Sequence, residues 1–133
     1  MLWCAMRILS KYFYRRQPFI IGAMSVYNES DIVEQTILHM CTQGVPLVVI
    51  DNGSTDGTSN ILKRYVGDGI VELSRIKTEF FELGFLLRTL QKMISKYKPM
   101  WMLLVDADEF LESSSPLLNL KQAVELESVN GYN

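Results

Sequence analysis

What most restricts the fold open to this chain is an alternation along it, in which short, continuously apolar runs are separated by helix-length amphipathic segments. "FIIGAMSV" (19–26), "PLVVID" (46–51), "GIVELSRI" (69–76) and "MWMLLVD" (100–106) read as strands. The first is apolar at successive positions, the pattern of a strand covered on both faces. Between the first two lies "SDIVEQTILHMCTQG" (30–44), a helix with Ser30 as N-cap, a stripe of Ile32, Val33, Thr36, Ile37 and Met40, and Gly44 as its stop. "TSNILKRYVG" (58–67) is a second helix, ending at Gly67. "EFFELGFLLRTLQKMISKY" (79–97) is a third, with Phe80, Phe81, Phe85 and Leu86 on its apolar face, and "PLLNLKQAVELESV" (116–129) is a last helical segment. Parallel strands need such crossovers, so the alternation predicts an α/β fold with a mostly parallel sheet and flanking helices.

Composition closes off several classes. At 133 residues and 48% hydrophobic, the chain holds one core of ordinary domain size. A net charge of -2 argues against general affinity for nucleic acid, because phosphate backbones are held by clustered Lys and Arg. Cys4 and Cys41 are too few for a disulfide framework and lack the paired spacing of a zinc site. Both read as reduced structural thiols, which points to a reducing compartment and a cytoplasmic location. His39 has no second ligand at metal spacing and reads as a core or boundary residue, while the methionines, Trp3 and Trp101 read as core filling.

Residues 1–17, "MLWCAMRILSKYFYRRQ", form a separate basic amphipathic segment ahead of the domain at 18–133. Charges interrupt it too often for a membrane span or a signal peptide. Arg7, Lys11 and Arg15 fall at helical spacing, a basic stripe opposite an apolar face. The plainer expectation is a helix packed on its own domain; the alternative is peripheral contact with the cytoplasmic face of a membrane.

The polar residues collect where the strands end. "YNES" follows the first strand, "DNGSTDGT" (51–58) closes the second, and "DADEF" (106–110) closes the fourth. Open α/β sheets bind ligands beyond the carboxyl ends of their strands, so three polar loops converge on the ligand edge. In "DNGSTDGT", Gly53 and Gly57 suit positive-φ backbone and Ser54, Thr55 and Asp56 suit helix capping, while Asp51 is placed to accept from a base N–H or a ribose hydroxyl. In "DAD", an extended backbone points Asp106 and Asp108 the same way. Adjacent carboxylates repel unless a cation lies between them, and Mg²⁺ or Mn²⁺ takes such oxygens while leaving places for water and substrate phosphates.

"VYNES", "VVIDNGSTDGT" and "WMLLVDADEF", in that order, resemble the N-terminal half of a family 2 glycosyltransferase over residues 19–111. The resemblance implies a Rossmann-like GT-A nucleotide-diphospho-sugar transferase fold. It implies that Tyr27, Glu29 and Asp51 lie against base and ribose, and that Asp106 and Asp108 are the D-x-D pair gripping ribose, diphosphate and a Mn²⁺ or Mg²⁺ ion. Arg88 or Lys92, on the helix before the D-x-D strand, would reach the diphosphate. The implied donor is a nucleotide-diphosphate sugar, foremost a UDP-sugar, and the acceptor, whether glycan, lipid or protein, is left open. The spelling "DADEF" with "DNGSTDGT" is similar to a branch found in bacterial cell-surface polysaccharide synthesis.

The family's catalytic base lies well downstream of the D-x-D, so the expectation is a base beyond Asn133 and an incomplete fold. Glu109 is the nearest candidate and reads instead as support for the metal pair or as a helix-start carboxylate. A donor-binding half without its acceptor half would transfer no sugar and would self-associate through its bare sheet edge. Two other readings stand beside this one. One is a non-catalytic nucleotide-sugar-binding fragment. The other is a haloacid-dehalogenase-type phosphatase, which also places D-x-D after a buried strand but calls for Thr or Val where this chain has Phe110.

Overall fold

A computed structural model describes residues 18–77 and 82–131. The expectations for residues 1–17, and for Phe80 and Phe81, lie outside the described residues. Strands β1 (Ile20–Val26), β2 (Leu47–Asp51), β3 (Ile70–Arg75) and β4 (Trp101–Leu104) alternate with helices α1 (Val33–Thr42), α2 (Thr58–Arg64), α3 (Leu83–Ser95) and α4 (Leu120–Val129), the last following β4. All strand pairs are parallel and the sheet order is β3-β2-β1-β4. The expected α/β architecture with a parallel sheet is what forms.

Both faces of β1 are covered, which is why its sequence shows no inside–outside alternation. Ile20, Met24 and Val26 point to one side, where Val33, Ile37 and Met40 of α1 and Leu62 of α2 complete a core. Ile21 and Ala23 point to the other, joining Val48 and Ile50 of β2 against Leu86, Leu90, Met93 and Ile94 of α3. Of the expected α1 stripe, Val33, Thr36, Ile37 and Met40 are buried in the helix, while Ile32 falls at its N-cap and is only partly buried. Gly44, at φ 71°, ends that helix in the left-handed conformation an L side chain resists.

Several boundaries differ from the sequence reading; α2, for one, ends at Arg64 rather than Gly67. Ser30 does not cap α1: the helix begins at Val33 without a side-chain cap, and the Ser30 amide instead donates to Asp56 Oδ2 at 3.1 Å. Helix α4 begins at Leu120 rather than Pro116, because Asn119 closes a capping box with Gln122 there. No helix starts at Glu109, so the helix-start role expected of it falls away. Strand β4 stops at Leu104, two residues short of Asp106.

Among the described residues β4 is covered on one side only. Trp101 and Leu103 pack against the α1 side of the sheet, and the Trp101 indole donates to Ser128 of α4 at 3.0 Å. Met102 and Leu104, level with Ile21 and Ala23, remain 48% and 54% exposed because α3 sits over β1 and β2. No helix among the described residues is long and apolar enough to cross a membrane.

The two sides of the sheet should therefore respond differently to truncation. Ile50→Ala, at a fully buried position, should cost about 2–5 kcal/mol in urea unfolding. Leu104→Ala should stay within about 0.5 kcal/mol of the parent. A comparable loss at both positions would show that the outer face of β4 is covered in solution.

Candidate functional site

Strand order reverses at β1: β2 and β3 extend the sheet to one side, and β4 lies on the other. The carboxyl ends of β1 and β4 thus open a crevice at a topological switch point, the place where open α/β sheets bind ligands. The "YNES" loop and the D-x-D segment form its two walls.

The first wall is stitched to the β2 loop by three consecutive backbone amides. Asn28 N–H donates to Ser54 Oγ at 3.0 Å, Glu29 N–H to Thr58 Oγ1 at 2.9 Å, and Ser30 N–H to Asp56 Oδ2 at 3.1 Å. In return, Asn28 Oδ1 accepts from the Thr55 amide at 2.8 Å. Asn28 turns the chain with φ 55°, a conformation Asn tolerates better than most side chains. Gly53 (φ 80°) and Gly57 (φ 106°) supply the positive-φ backbone expected of "DNGSTDGT". Most of that motif's polar atoms are thus spent on holding two loops together.

Asp51 lies beneath this stitch and is 1% exposed. Its carboxylate accepts from the Ser54 amide at 2.9 Å and from the Ser59 hydroxyl, and Arg75 Nε stands 3.7 Å away. Burial pushes the Asp51 carboxyl up, but the Ser54 and Ser59 hydrogen bonds and the Arg75 charge outweigh it and hold it below the usual carboxylate range. Asp56 is held well below that range by the Thr58 hydroxyl, then by the Thr58 and Ser30 amides. Glu29 moves the other way: burial raises it, and the charges of Asp108, Asp31 and Asp56 add to the effect. The "YNES" loop and the D-x-D segment therefore stand within electrostatic reach of each other.

On the second wall, the backbone leaves extended geometry early. Val105 N–H still bonds Ala23 O at 3.0 Å, after which Asp106 to Glu109 form a turn closed by Glu109 N–H to Asp106 O at 3.1 Å. Val105 and Ala107 point into the core, 2% and 6% exposed, while Asp106 and Asp108 are exposed. The two carboxylates are thus on the solvent side together, as the period-two reading expected, although a turn rather than a strand presents them. Among the described residues no hydrogen bond or ion pair occupies either, and no group of three His, Cys, Asp or Glu side chains is placed to hold a metal ion by itself.

The remaining expected residues divide. Tyr27 is 58% exposed and Glu29 half-buried on the loop after β1, and Glu109 sits at the end of the D-x-D turn. Arg88 and Lys92 are not brought in. Helix α3 runs back from the carboxyl edge, Arg88 pairs with Glu82 at 3.5 Å, and Lys92 lies in the last turn, roughly 13 Å along the helix from its first residue. Arg75 is the cation the sequence reading missed: it ends β3 level with Asp51 and donates from Nη2 to Ser54 O at 2.9 Å. The rule that found Asp51 and Asp106, polar residues at strand carboxyl ends, finds Arg75 when applied to the third strand.

The family model of Glycosyl transferase family 2 matches residues 23–124, well over half of the chain, from within β1 into α4. This chain belongs to that family. Among curated proteins none matches it. Family 2 domains bind nucleotide-sugar donors and transfer sugars, so the phosphatase reading is set aside and the crevice between β1 and β4 is the part of this family 2 chain to interrogate.

The buried Asp51 network should show in acid. A carboxyl whose pKa is lowered on folding contributes stability that is present above its unfolded value, about 3.9, and is lost as pH falls through the folded value. From about pH 6 to about pH 3 the parent should lose more unfolding free energy than Asp51→Asn, which has no such carboxyl to protonate. Parallel acid profiles in urea titrations would remove Asp51 from its place at the centre of the loop.

Proposed function

We propose that the crevice binds a nucleotide-diphosphate sugar, foremost a UDP-sugar, and that the bound sugar passes to an acceptor hydroxyl in a single displacement with inversion. The observation that carries this reading is the convergence of the family's polar loops on one switch point, with the Asp106 and Asp108 carboxylates open to solvent and unpaired among the described residues. Tyr27 and Glu29 face the nucleoside from the β1 side. Asp51 acts on it through the loop it shapes, since its oxygens are already taken by Ser54 and Ser59. Asp106 and Asp108 take the diphosphate side, and Arg75 adds positive charge at the end of β3, beside Asp51.

The donor set fits a Mn²⁺ or Mg²⁺ ion shared with substrate. Such ions are held by one or two carboxylates and complete their shell with water and substrate phosphates, which two exposed aspartates, with no third protein ligand grouped with them among the described residues, provide for. When bound, the ion neutralises negative charge on the departing nucleoside diphosphate. Glu29 is raised first by burial and then by the charges of Asp108, Asp31 and Asp56, and a cation bound there would relieve the second of these.

Thermal unfolding with UDP, with Mn²⁺ and with both tests the reading, because a ligand bound only by the native state stabilises it by about 2.7 kcal/mol at a hundredfold excess over Kd. UDP and Mn²⁺ together should raise Tm beyond the sum of their separate effects. Asp108→Ala should erase that extra increment while leaving the ligand-free Tm within a few degrees of the parent, because the side chain is exposed and unbonded. Equal UDP shifts with and without the metal would sink the D-x-D assignment.

A further inference from the structure

The turn that presents Asp106 and Asp108 has an electrostatic problem. It carries Asp106, Asp108 and Glu109 within four residues, faces the charge of Glu29, and its own backbone closes it with a single hydrogen bond, Glu109 N–H to Asp106 O at 3.1 Å. Like charges in a short turn push it open unless something holds the backbone. A cationic brace would do so but would compete for the carboxylates a ligand needs.

Helix α1 supplies a brace that bonds backbone carbonyls and leaves the carboxylates free. The Thr36 hydroxyl donates to the carbonyl of Ala107, the central residue of the D-x-D. One helical turn on, His39 Nε2 lies 2.9 Å from the Leu111 carbonyl, and because a carbonyl only accepts, Nε2 is the nitrogen that carries the proton. The Phe110 ring meets the His39 ring edge-on, centroids 5.3 Å apart at 77°. Both tethers are on backbone oxygens, one inside the turn and one just past it, so neither uses a carboxylate oxygen.

The Thr36 bond is unusual for its setting. A Thr inside a helix ordinarily returns its hydroxyl to the carbonyl four residues back. Here that group, Ile32 O, is 3.5 Å away, and the hydroxyl's closer partner is Ala107, seventy-one residues along the chain. Thr36 is fully buried, so water does not replace a lost partner. Its place in the apolar stripe of α1 therefore serves a polar purpose.

We propose that Thr36 and His39 are positioning residues for the donor-binding D-x-D turn, fixing through the Ala107 and Leu111 carbonyls the spacing at which Asp106 and Asp108 meet a metal diphosphate. The assignment rests on the donor-site reading above. It separates two parts of the ligand: the nucleoside is held by the β1 and β2 loops, which Thr36 and His39 do not touch, whereas the metal diphosphate is held by the turn, which they do.

Calorimetric titration of the full chain with Mn²⁺ plus UDP, and with uridine alone, reads the two parts separately. Thr36→Val and His39→Leu should each weaken the Mn²⁺-dependent binding of UDP by about tenfold or more, as expected for loss of one buried hydrogen bond, and leave uridine binding unchanged. Thr36→Ser and His39→Gln, which keep a donor near each carbonyl, should recover affinity to within about threefold of the parent. Backbone amide exchange over residues 106–111 should quicken in the first pair of variants and not in the second. Unaltered Mn²⁺–UDP affinity in Thr36→Val and His39→Leu would overturn the proposal, as would equal losses for UDP and uridine or a failure of both conservative variants to recover binding. If the unmodified chain itself binds UDP no better with Mn²⁺ than without, the donor-site reading fails first and the positioning role goes with it.

Discussion

Three consecutive amides, those of Asn28, Glu29 and Ser30, leave β1 with no helix or strand to bond to, and side chains of the neighbouring loop accept all three. Buried or half-buried backbone donors must find partners, and in a parallel sheet the carboxyl ends of the strands are where regular pairing runs out. Ser54, Thr58 and Asp56 meet that need at the β2 end, and Asp51 holds Ser54 in turn. The edge of the sheet is thereby a single shaped surface rather than two independent loops. What a nucleotide would meet there depends on this arrangement before it depends on any side chain that touches the ligand.

The acids of the site fall into two electrostatic kinds. Asp51 and Asp56 are surrounded by donors, sit low in pKa, and act as structural anions. Asp106 and Asp108 are exposed on a turn and unpaired among the described residues, and Glu29 is raised by burial and by its acidic neighbours. Both kinds are spelled with the same residue types, and only their surroundings separate them. Tethers from α1 to backbone carbonyls fit the second kind, because they hold the turn without occupying the carboxylates.

Part of this was legible from residue order. Continuous apolar runs separated by helix-length segments require a parallel sheet, and the ligand edge follows from topology once the strands are placed. Boundaries were less legible. "MWMLLVD" contains nothing that marks where pairing stops, and β4 ends at Leu104 because the chain turns so that Val105 and Ala107 fill the core. Ser30 has the residue type of an N-cap, yet its amide is drawn to Asp56, a partner twenty-six residues away that local propensity does not register.

The sequence by itself determined the fold class and the order of the polar loops, because these follow from hydrophobic period and short-range spacing. Tertiary structure decided which polar residues face a ligand and which hold the frame. Asp51 became a buried organiser, Lys92 was carried toward the opposite edge by the direction of its helix, and Thr36 and His39 gained carbonyl partners seventy-one and seventy-two residues away. A hydrogen bond is set by separation in space within a few ångströms, and such separations across a sheet and its helices leave no periodic trace along the chain.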